Sequence, residues 1–493
     1  VSATQLPVLV VIAPLLAAPV ALLLRRYAAA GAVVTAACVL SFAAALALAA
    51  RVATGGAVSY ALGSWPPPWG IEYRVDALGA FVLVLVSGVA ALVSVYALAA
   101  VAVEVRREQG YLYHTMYALC VAGMLGMAAT GDAFNLFVFM EIASLASYVL
   151  IALGRDRRAL LASYQYLILG TIGATFYVIG VALLYLMTGT LNLADMAGRL
   201  EELRATRPVR AALAFITVGL SLKFALFPLH LWLPNAYAHG PSAATALLAA
   251  TATKVQLYVL VRFYFSVFGA PLVVEALPLG GILIGLSVLA IVSGSLAALW
   301  QADLRRLFAY SSVAQVGYVT LGVGLMSVEG LTAAVVHLFN HGVTKAAIFL
   351  LLGAAGLGAH RLSLERVRGL GQRMPWTALG LTVAGLSLVG VPGTAGFVTK
   401  WYLVLGAIAE GRWWLAAVVV ATSLLALAYV WRFVEAAYLA EPPARAAEAR
   451  EAPLVLLVPG WLMVAACVYF GLDTSFTVGS SRAAAEALVG GAR

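Results

Sequence analysis

The chain has 493 residues, of which 63% are hydrophobic and 10% charged, and its mean hydropathy is +1.00. That composition excludes a soluble fold and describes a chain built mostly of membrane-spanning segments. The formal net charge of +9 comes from short arginine clusters between apolar runs, where basic residues orient a chain in a bilayer, so no nucleic-acid partner is implied.

The first apolar run, 6–24, holds three prolines and ends in Arg25-Arg26 with no basic segment before it. It reads as a first span rather than a cleavable signal. At about 18 or more mostly apolar residues per span, fourteen spans are expected: 6–24, 28–50, 75–99, 111–130, 133–153, 161–187, 209–233, 242–268, 277–299, 307–327, 330–358, 377–409, 413–438 and 453–472. The fold class is therefore an all-α integral membrane protein, multi-pass in a lipid bilayer. Cys38, Cys120 and Cys467 are far apart and each lies inside an apolar run, so they encode no disulfide framework, iron–sulfur site or zinc site, and no cofactor is expected. With loops assigned alternately to the two sides, sixteen arginines follow odd-numbered spans and ten lie on the other side. The richer side is cytoplasmic by the positive-inside rule, which puts both termini outside.

All four lysines of the chain, Lys223, Lys254, Lys345 and Lys400, fall within expected spans. A genome that prefers arginine codons accounts for missing surface lysines but not for lysines kept in hydrocarbon. Each ammonium at the bilayer centre costs roughly 2.5–3.5 kcal/mol, on the order of 10 kcal/mol for four, unless it is paired or hydrated. Glu141 sits in the middle of the span 133–153, behind Phe134-Asn135-Leu136-Phe137-Val138-Phe139-Met140. It needs a cation or a proton. It serves either as half of a structural ion pair or as a carboxylate that governs whether a lysine keeps its proton.

His337, His341 and Lys345 follow at four-residue steps, each step about 6 Å along a helix and about 40° around it, so they form one shallow stripe. Packed core histidines are one reading. Two histidines and a lysine in register beside Asn340 favour a hydrated proton relay. The histidine spacing also suits a metal, but Lys345 in the same stripe would repel a cation.

Two spans are expected to break in mid-membrane. In Lys223-Phe224-Ala225-Leu226-Phe227-Pro228, the proline frees a carbonyl of the preceding turn, and Pro392 with Gly390, Gly393 and Gly396 does the same ahead of Lys400. Interrupted helices survive at membrane depth where protein or water satisfies the loosened backbone, and a matched pair of them marks a transporter's ion path. The stretch 160–185 also resembles 330–355 in length and small-residue rhythm. Five-span repeats must run inverted, which divides the chain into an N-terminal three-helix segment (1–110), a first repeat (111–268), a second inverted repeat (269–438) and a C-terminal helix and tail (439–493).

The sequence resembles the antiporter-like family shared by the large subunits of Mrp-type Na⁺(K⁺)/H⁺ antiporters and the proton-pumping membrane subunits of complex I and membrane-bound hydrogenases. The resemblance rests on Lys223-Phe224-Ala225-Leu226-Phe227-Pro228-Leu229-His230-Leu231-Trp232-Leu233-Pro234-Asn235-Ala236, on the His337/His341/Lys345 series followed by Ala346-Ala347-Ile348-Phe349, and on Gly393-Thr394-Ala395-Gly396-Phe397 before Lys400. Within the family, Glu141-Ile142-Ala143-Ser144-Leu145-Ala146-Ser147-Tyr148-Val149-Leu150 and the lysine at 400 resemble the Mrp D-type component most. Pro392-Gly393 stands where the family has a double proline, and His239-Gly240-Pro241-Ser242 replaces its commoner acidic form.

The resemblance implies that Glu141 and Lys223 pair in a first half-channel and that Lys254 joins the halves. His337, His341 and Lys345 would continue the relay and Lys400 would gate the far side. It further implies a secondary transporter subunit rather than an enzyme, working in the plasma (inner) membrane with other membrane subunits and exchanging protons for Na⁺ or K⁺. A redox-driven proton pump module and a proton-driven inorganic carbon uptake module are the alternatives; the chain holds no cysteine cluster, phosphate loop or haem motif of its own. Lys223→Ala or Glu141→Ala is expected to abolish proton-coupled transport in reconstituted vesicles with assembly intact, whereas Arg361→Gln, in a loop, leaves the flux unchanged.

Overall fold

The computed structural model describes residues 3–204, 206–269, 272–273, 278–358, 361–442 and 450–490. Helices begin where a short polar side chain can accept from the open amides of a first turn. Asp76 does this for Gly79, Asp132 for Asn135, Asp156 for Arg158, Asn192 for Ala194 and Asp195, Asp303 for Arg306, and Ser327 for Gly330.

The helices are α1 (Leu6–Leu24), α2 (Tyr27–Gly55), α3 (Ala77–Glu104), α4 (Gly110–Ala129), α5 (Ala133–Ala152), α6 (Arg157–Thr188), α7 (Leu193–Leu200), α8 (Arg207–Lys223), α9 (Trp232–His239), α10 (Ser242–Val267), α11 (Leu279–Leu299), α12 (Leu304–Gly324), α13 (Val328–Ala355), α14 (Pro375–Val389), α15 (Ala395–Ala409), α16 (Trp413–Leu439), α17 (Leu454–Leu472) and α18 (Ser475–Gly490). Eleven of the described helical segments are long and apolar enough to cross a membrane, and they fall on eleven of the fourteen expected spans. The other three expected spans also fall on helices. One is α8 with α9, one is α14 with α15, and the third is α12, which carries Arg305, Arg306, Ser311, Ser312 and Gln315.

The helices wrap around two central ones. The apolar window of α13 is entirely buried and that of α10 is 94% buried, against 33–39% for α1, α2, α6 and α16. α13 packs against α3, α10, α12, α14, α15, α17 and α18, so every side chain from Gly330 to Ala354 faces protein. The peripheral helices turn Leu23, Leu186, Leu454 and Leu472 outward, and Trp300, Trp376 and Trp413 stand exposed at helix ends. An apolar outer surface edged with tryptophan is a surface made for lipid.

Both expected breaks are present. α8 stops at Lys223, Ala225 adopts a left-handed conformation (φ 61°), and the helical path resumes at Trp232. The Trp232 indole N–H donates to the Leu222 carbonyl at 3.0 Å, and its ring stacks on Tyr166 with centroids 3.9 Å apart. α14 ends at Val389, the chain passes through Gly390 (φ 89°) and Gly393 (φ 83°), and α15 starts at Ala395.

Short elements also lie outside the expected set, among them a single helical turn at Leu370–Arg373. Val58–Ala61 and Glu72–Val75 pair as an antiparallel hairpin, fastened by a 2.5 Å hydrogen bond from Ser59 Oγ to Glu72 Oε1; four-residue strands escape a search for long apolar runs. α7 is a short surface helix between α6 and α8. The expected C-terminal tail is the helix α18, whose buried face of Thr477, Ser481, Ala484, Ala485 and Leu488 has helical spacing and lies on α3 and α13.

The second break is also closely packed. A Cβ on Gly396 would fall 1.7 Å from the Ser387 carbonyl oxygen, whereas one on Gly479 would meet nothing within 4 Å. Gly396→Ala should therefore destabilise the protein by about 1–3 kcal/mol, the usual cost of overpacking, and lower its Tm. Gly479→Ala, in α18, should leave the Tm unchanged or raise it slightly.

Candidate functional site: a buried lysine, glutamate and histidine series

All four lysines are buried: Lys223, Lys254, Lys345 and Lys400 are 3%, 1%, 0% and 7% exposed. Each ammonium ends on oxygen, but among the described residues only one ends on a carboxylate. Lys223 Nζ lies 3.0 Å from Glu141 Oε1 and donates to Ser144 Oγ at 2.9 Å. The lysine comes from the last turn of α8, where the helix dipole favours positive charge, and the acid and serine from adjacent positions one turn apart on α5. Glu141 keeps 23% of its side chain exposed, so the pair borders a more open region on its acidic side.

The other three lysines use main-chain carbonyls. Lys254 donates to the Ala249 carbonyl, five residues back, inside the π-helical stretch Leu248–Ala252. Widened helical turns of this kind are common at functional positions. Lys345 reaches across from α13 to α12, donating to the Phe308 carbonyl at 2.6 Å and to Ser311 Oγ at 2.5 Å. Lys400 donates to the Val389 carbonyl at 2.7 Å and to Ser423 Oγ at 2.9 Å. Val389 is the last residue of α14, so the ammonium from one half of the broken helix sits on the negative end of the other half.

The expected stripe on α13 exists. The His337 and His341 rings are parallel within 11° at 5.6 Å, and both imidazoles are buried with Nδ1 and Nε2 of His337 and Nε2 of His341 lacking a protein hydrogen-bond partner. Unsatisfied ring nitrogens are costly in a buried site unless water or a moving proton engages them. His337 and His341 share α13 with Lys345, Tyr318 links His337 to Lys400, and the widened turn that holds Lys254 packs on α13 at Gly342. The structure thus gathers Lys254, His337, His341, Lys345 and Lys400 into one cluster, while Glu141 and Lys223 form a second group with Ser144. Asn340 ties the stripe to the second break by donating to the Ala395 carbonyl at 2.9 Å. Among the described residues no three His, Cys, Asp or Glu side chains gather as metal ligands.

Several participants carry no signal in the sequence. Tyr318 lies under the Lys400 ammonium, 5.2 Å from ring centroid to nitrogen, and edge-on to His337 at 5.7 Å, so it bridges the stripe to the last lysine. Ser144, Ser311 and Ser423 are ordinary small residues of apolar helices until the fold places each beside a lysine. Two polar cavities also lie at opposite ends of α10. One, about 230 Å³, includes Glu104, His239 and Arg305, with Glu104 accepting from Ser242 N at 2.7 Å and standing 3.9 Å from Arg305. The other, about 330 Å³, includes Glu72, Asp76 and Arg262. Burial pushes the Asp76 carboxyl up, but the two-pronged contact with Arg262 outweighs it and holds the group below the usual carboxylate range.

A polytopic membrane protein with lysines at interrupted helices, one of them paired to glutamate, belongs to the class of ion-translocating transporter subunits. The chain is a member of the family described as NADH:quinone oxidoreductase/Mrp antiporter, transmembrane, which matches residues 130–426. It is 42% identical to the N component of the NADH-quinone oxidoreductase of Desulforudis audaxviator, over 95% of this chain and 96% of that one. It is 34% identical to the D component of the Na⁺/H⁺ antiporter of Alkalihalophilus pseudofirmus, over 77% of this chain and 76% of that one. Its fold matches a chain in the structure of the Mrp complex from Dietzia with a TM-score of 0.89 and 27% identity, covering 99% of this chain and 97% of the other.

If Glu141 and Lys223 act as one unit, Glu141→Gln and Lys223→Met each cut proton flux at least about tenfold, and the double variant falls no further than the worse single change. The measurement is proton flux in liposomes read with a pH-sensitive dye. Additive losses would separate the two residues.

Proposed function

We propose that the chain is the proton-carrying subunit of a multisubunit monovalent cation/proton antiporter in the plasma (inner) membrane, a transporter subunit rather than an enzyme. The observation that carries this reading is the buried Lys223–Glu141 pair at the end of an interrupted helix. A proton accepted there weakens the pair by neutralising the glutamate, and the lysine proton can then pass toward the interior. Lys254, His341, His337 and Lys345 continue the path near the membrane midplane, and Lys400 exchanges with the far side. The cavities at the two ends of α10 are the mouths through which water reaches the series from either side. All fourteen spans cross the bilayer, with both termini outside, and the exchanged cation is Na⁺ or K⁺.

Inverted repeats over 111–268 and 269–438 account for the symmetry of the breaks. The loop before α5 and the loop after α6 exchange hydrogen bonds, Ala133 N to Leu191 O and Leu193 N to Gly131 O, both 2.8 Å. The loops flanking α12 and α13 do the same, Leu304 N to Leu362 O and Leu364 N to Ala302 O, both 2.9 Å. In each set the bridged residue is a helix-capping aspartate, Asp132 or Asp303, and the two sets correspond residue for residue at a constant offset. That repetition supports two copies of one ancestral unit.

The second reading is a proton-pumping module powered by a separate redox arm, favoured by the extent of the likeness to a quinone oxidoreductase component. Purification of the native assembly separates the two. Small hydrophobic antiporter subunits, together with Na⁺- or K⁺-dependent proton flux from vesicles, are the expected result; copurifying iron–sulfur or nickel-bearing subunits would overturn it. In the active assembly, Lys345→Ala or His337→Ala should reduce flux by at least about tenfold, as loss of one essential proton carrier does.

A further inference from the structure

The structure brings five arginines around one cavity, and of the five only Arg155 also lines the Glu104 cavity of the transport path. Arg25, Arg26, Arg106, Arg107 and Arg155 line a space of about 740 Å³ together with Tyr27. They come from the connections after α1, α3 and α5, three loops well separated in sequence. Arg25 adopts a left-handed conformation (φ 50°) at the end of α1, so the chain turns into α2 within two residues and holds two guanidinium groups at one corner. The Tyr27 hydroxyl donates to the Leu98 carbonyl at 2.7 Å, which fixes that corner against α3.

Positive-inside orientation explains why arginines lie on this side, but it asks only for charge near the membrane, not for five charges on a shared concavity. None of the five has a carboxylate within ion-pair distance among the described residues. Arg106 Nε is turned to Gln109 Oε1 at 3.0 Å and Arg155 Nη2 to the Val105 carbonyl at 3.1 Å, which leaves most of their N–H donors open. Five like charges so placed call for a counter-anion. Beside the cavity, Leu23 and Leu24 at the end of α1 present exposed apolar side chains. A ligand that satisfies both halves has a phosphate head and an acyl tail.

We propose that this cavity is a binding site for the headgroup of an anionic phospholipid, its phosphate held by the arginines and its acyl chain laid along the exposed apolar face of α1, which carries Leu16, Val20 and Leu23. A basic pocket between spans on the cytoplasmic side has the electrostatics for this, each arginine near the surface contributing roughly fivefold in affinity.

The test is native mass spectrometry of the purified full-length assembly supplied with equal phosphatidylglycerol and phosphatidylcholine of identical acyl chains. The expected result is preferential retention of phosphatidylglycerol, lowered on the order of 100-fold by the triple change Arg25→Gln, Arg26→Gln and Arg106→Gln. A control removing three exposed charges elsewhere, Arg361→Gln, Arg366→Gln and Arg368→Gln, should leave retention intact. If the triple variant does not fold, Arg107→Gln alone should cost about fivefold. Equal retention of the two lipids, equal loss in the control, or undiminished binding in the Arg107 variant would each overturn the proposal. So would full displacement of the lipid by millimolar inorganic phosphate, which would make this a free-anion site, or crosslinking of an acidic partner segment into the cavity.

Discussion

An ammonium group taken out of water must find oxygen atoms, and a hydrocarbon-embedded helix has none to spare, because its carbonyls are committed to its own ladder. The architecture around the four lysines follows from that constraint. Lys400 takes a carbonyl at the terminus of a half-helix, Lys254 one within a widened turn, and Lys345 one on the neighbouring helix already shared with serine hydroxyls. Lys223 has a carboxylate instead. At Lys254 and Lys400 helix irregularity and buried charge are one feature: the widened turn and the second break release the acceptors, and the lysines satisfy them.

This arrangement also distinguishes the lysines by what they can do. Carbonyl and hydroxyl oxygens hold an ammonium by dipoles alone and also suit a neutral amine, whose lone pair can turn to a water or a hydroxyl. A carboxylate couples its partner's charge to its own. A change of charge at Glu141 would thus act directly on Lys223, whereas Lys254, Lys345 and Lys400 have no carboxylate partner among the described residues. The stacked His337 and His341, with ring nitrogens not committed to protein acceptors, are suited to pass a proton between such sites.

The sequence revealed those features that hydrocarbon makes expensive. Lysine, glutamate and paired histidines in apolar runs, and Pro228 and Pro392 in the middle of spans, stand out because each carries a cost that needs a reason, and the structure puts the charged and imidazole groups in the interior and these two prolines at breaks. The partners that relieve those costs were hidden. Serine is neutral in a membrane helix, so nothing distinguishes Ser144, Ser311 or Ser423 from Ser87 or Ser94, which bond within their own helix. Tyr318 is one aromatic among many, and the π-helical turn near Lys254 has no proline or glycine to announce it. The hairpin and α18 escaped for a different reason: they are too short or too mixed in polarity for a search tuned to long apolar stretches, although the Thr477, Ser481, Ala484, Ala485, Leu488 spacing is a readable helical face.

The stacking of Trp232 on Tyr166 has an optical consequence. Of ten tryptophans in the chain, Trp232 alone is buried; most of the others lie exposed on the outer surface, where lipid and interfacial water set their emission. Its indole sits within the first break, tied to a carbonyl that the interrupted helix has released. Any rearrangement of that backbone changes both the hydrogen bond and the ring contact, so the protein carries an intrinsic fluorophore at the hinge beside Lys223, readable without a label.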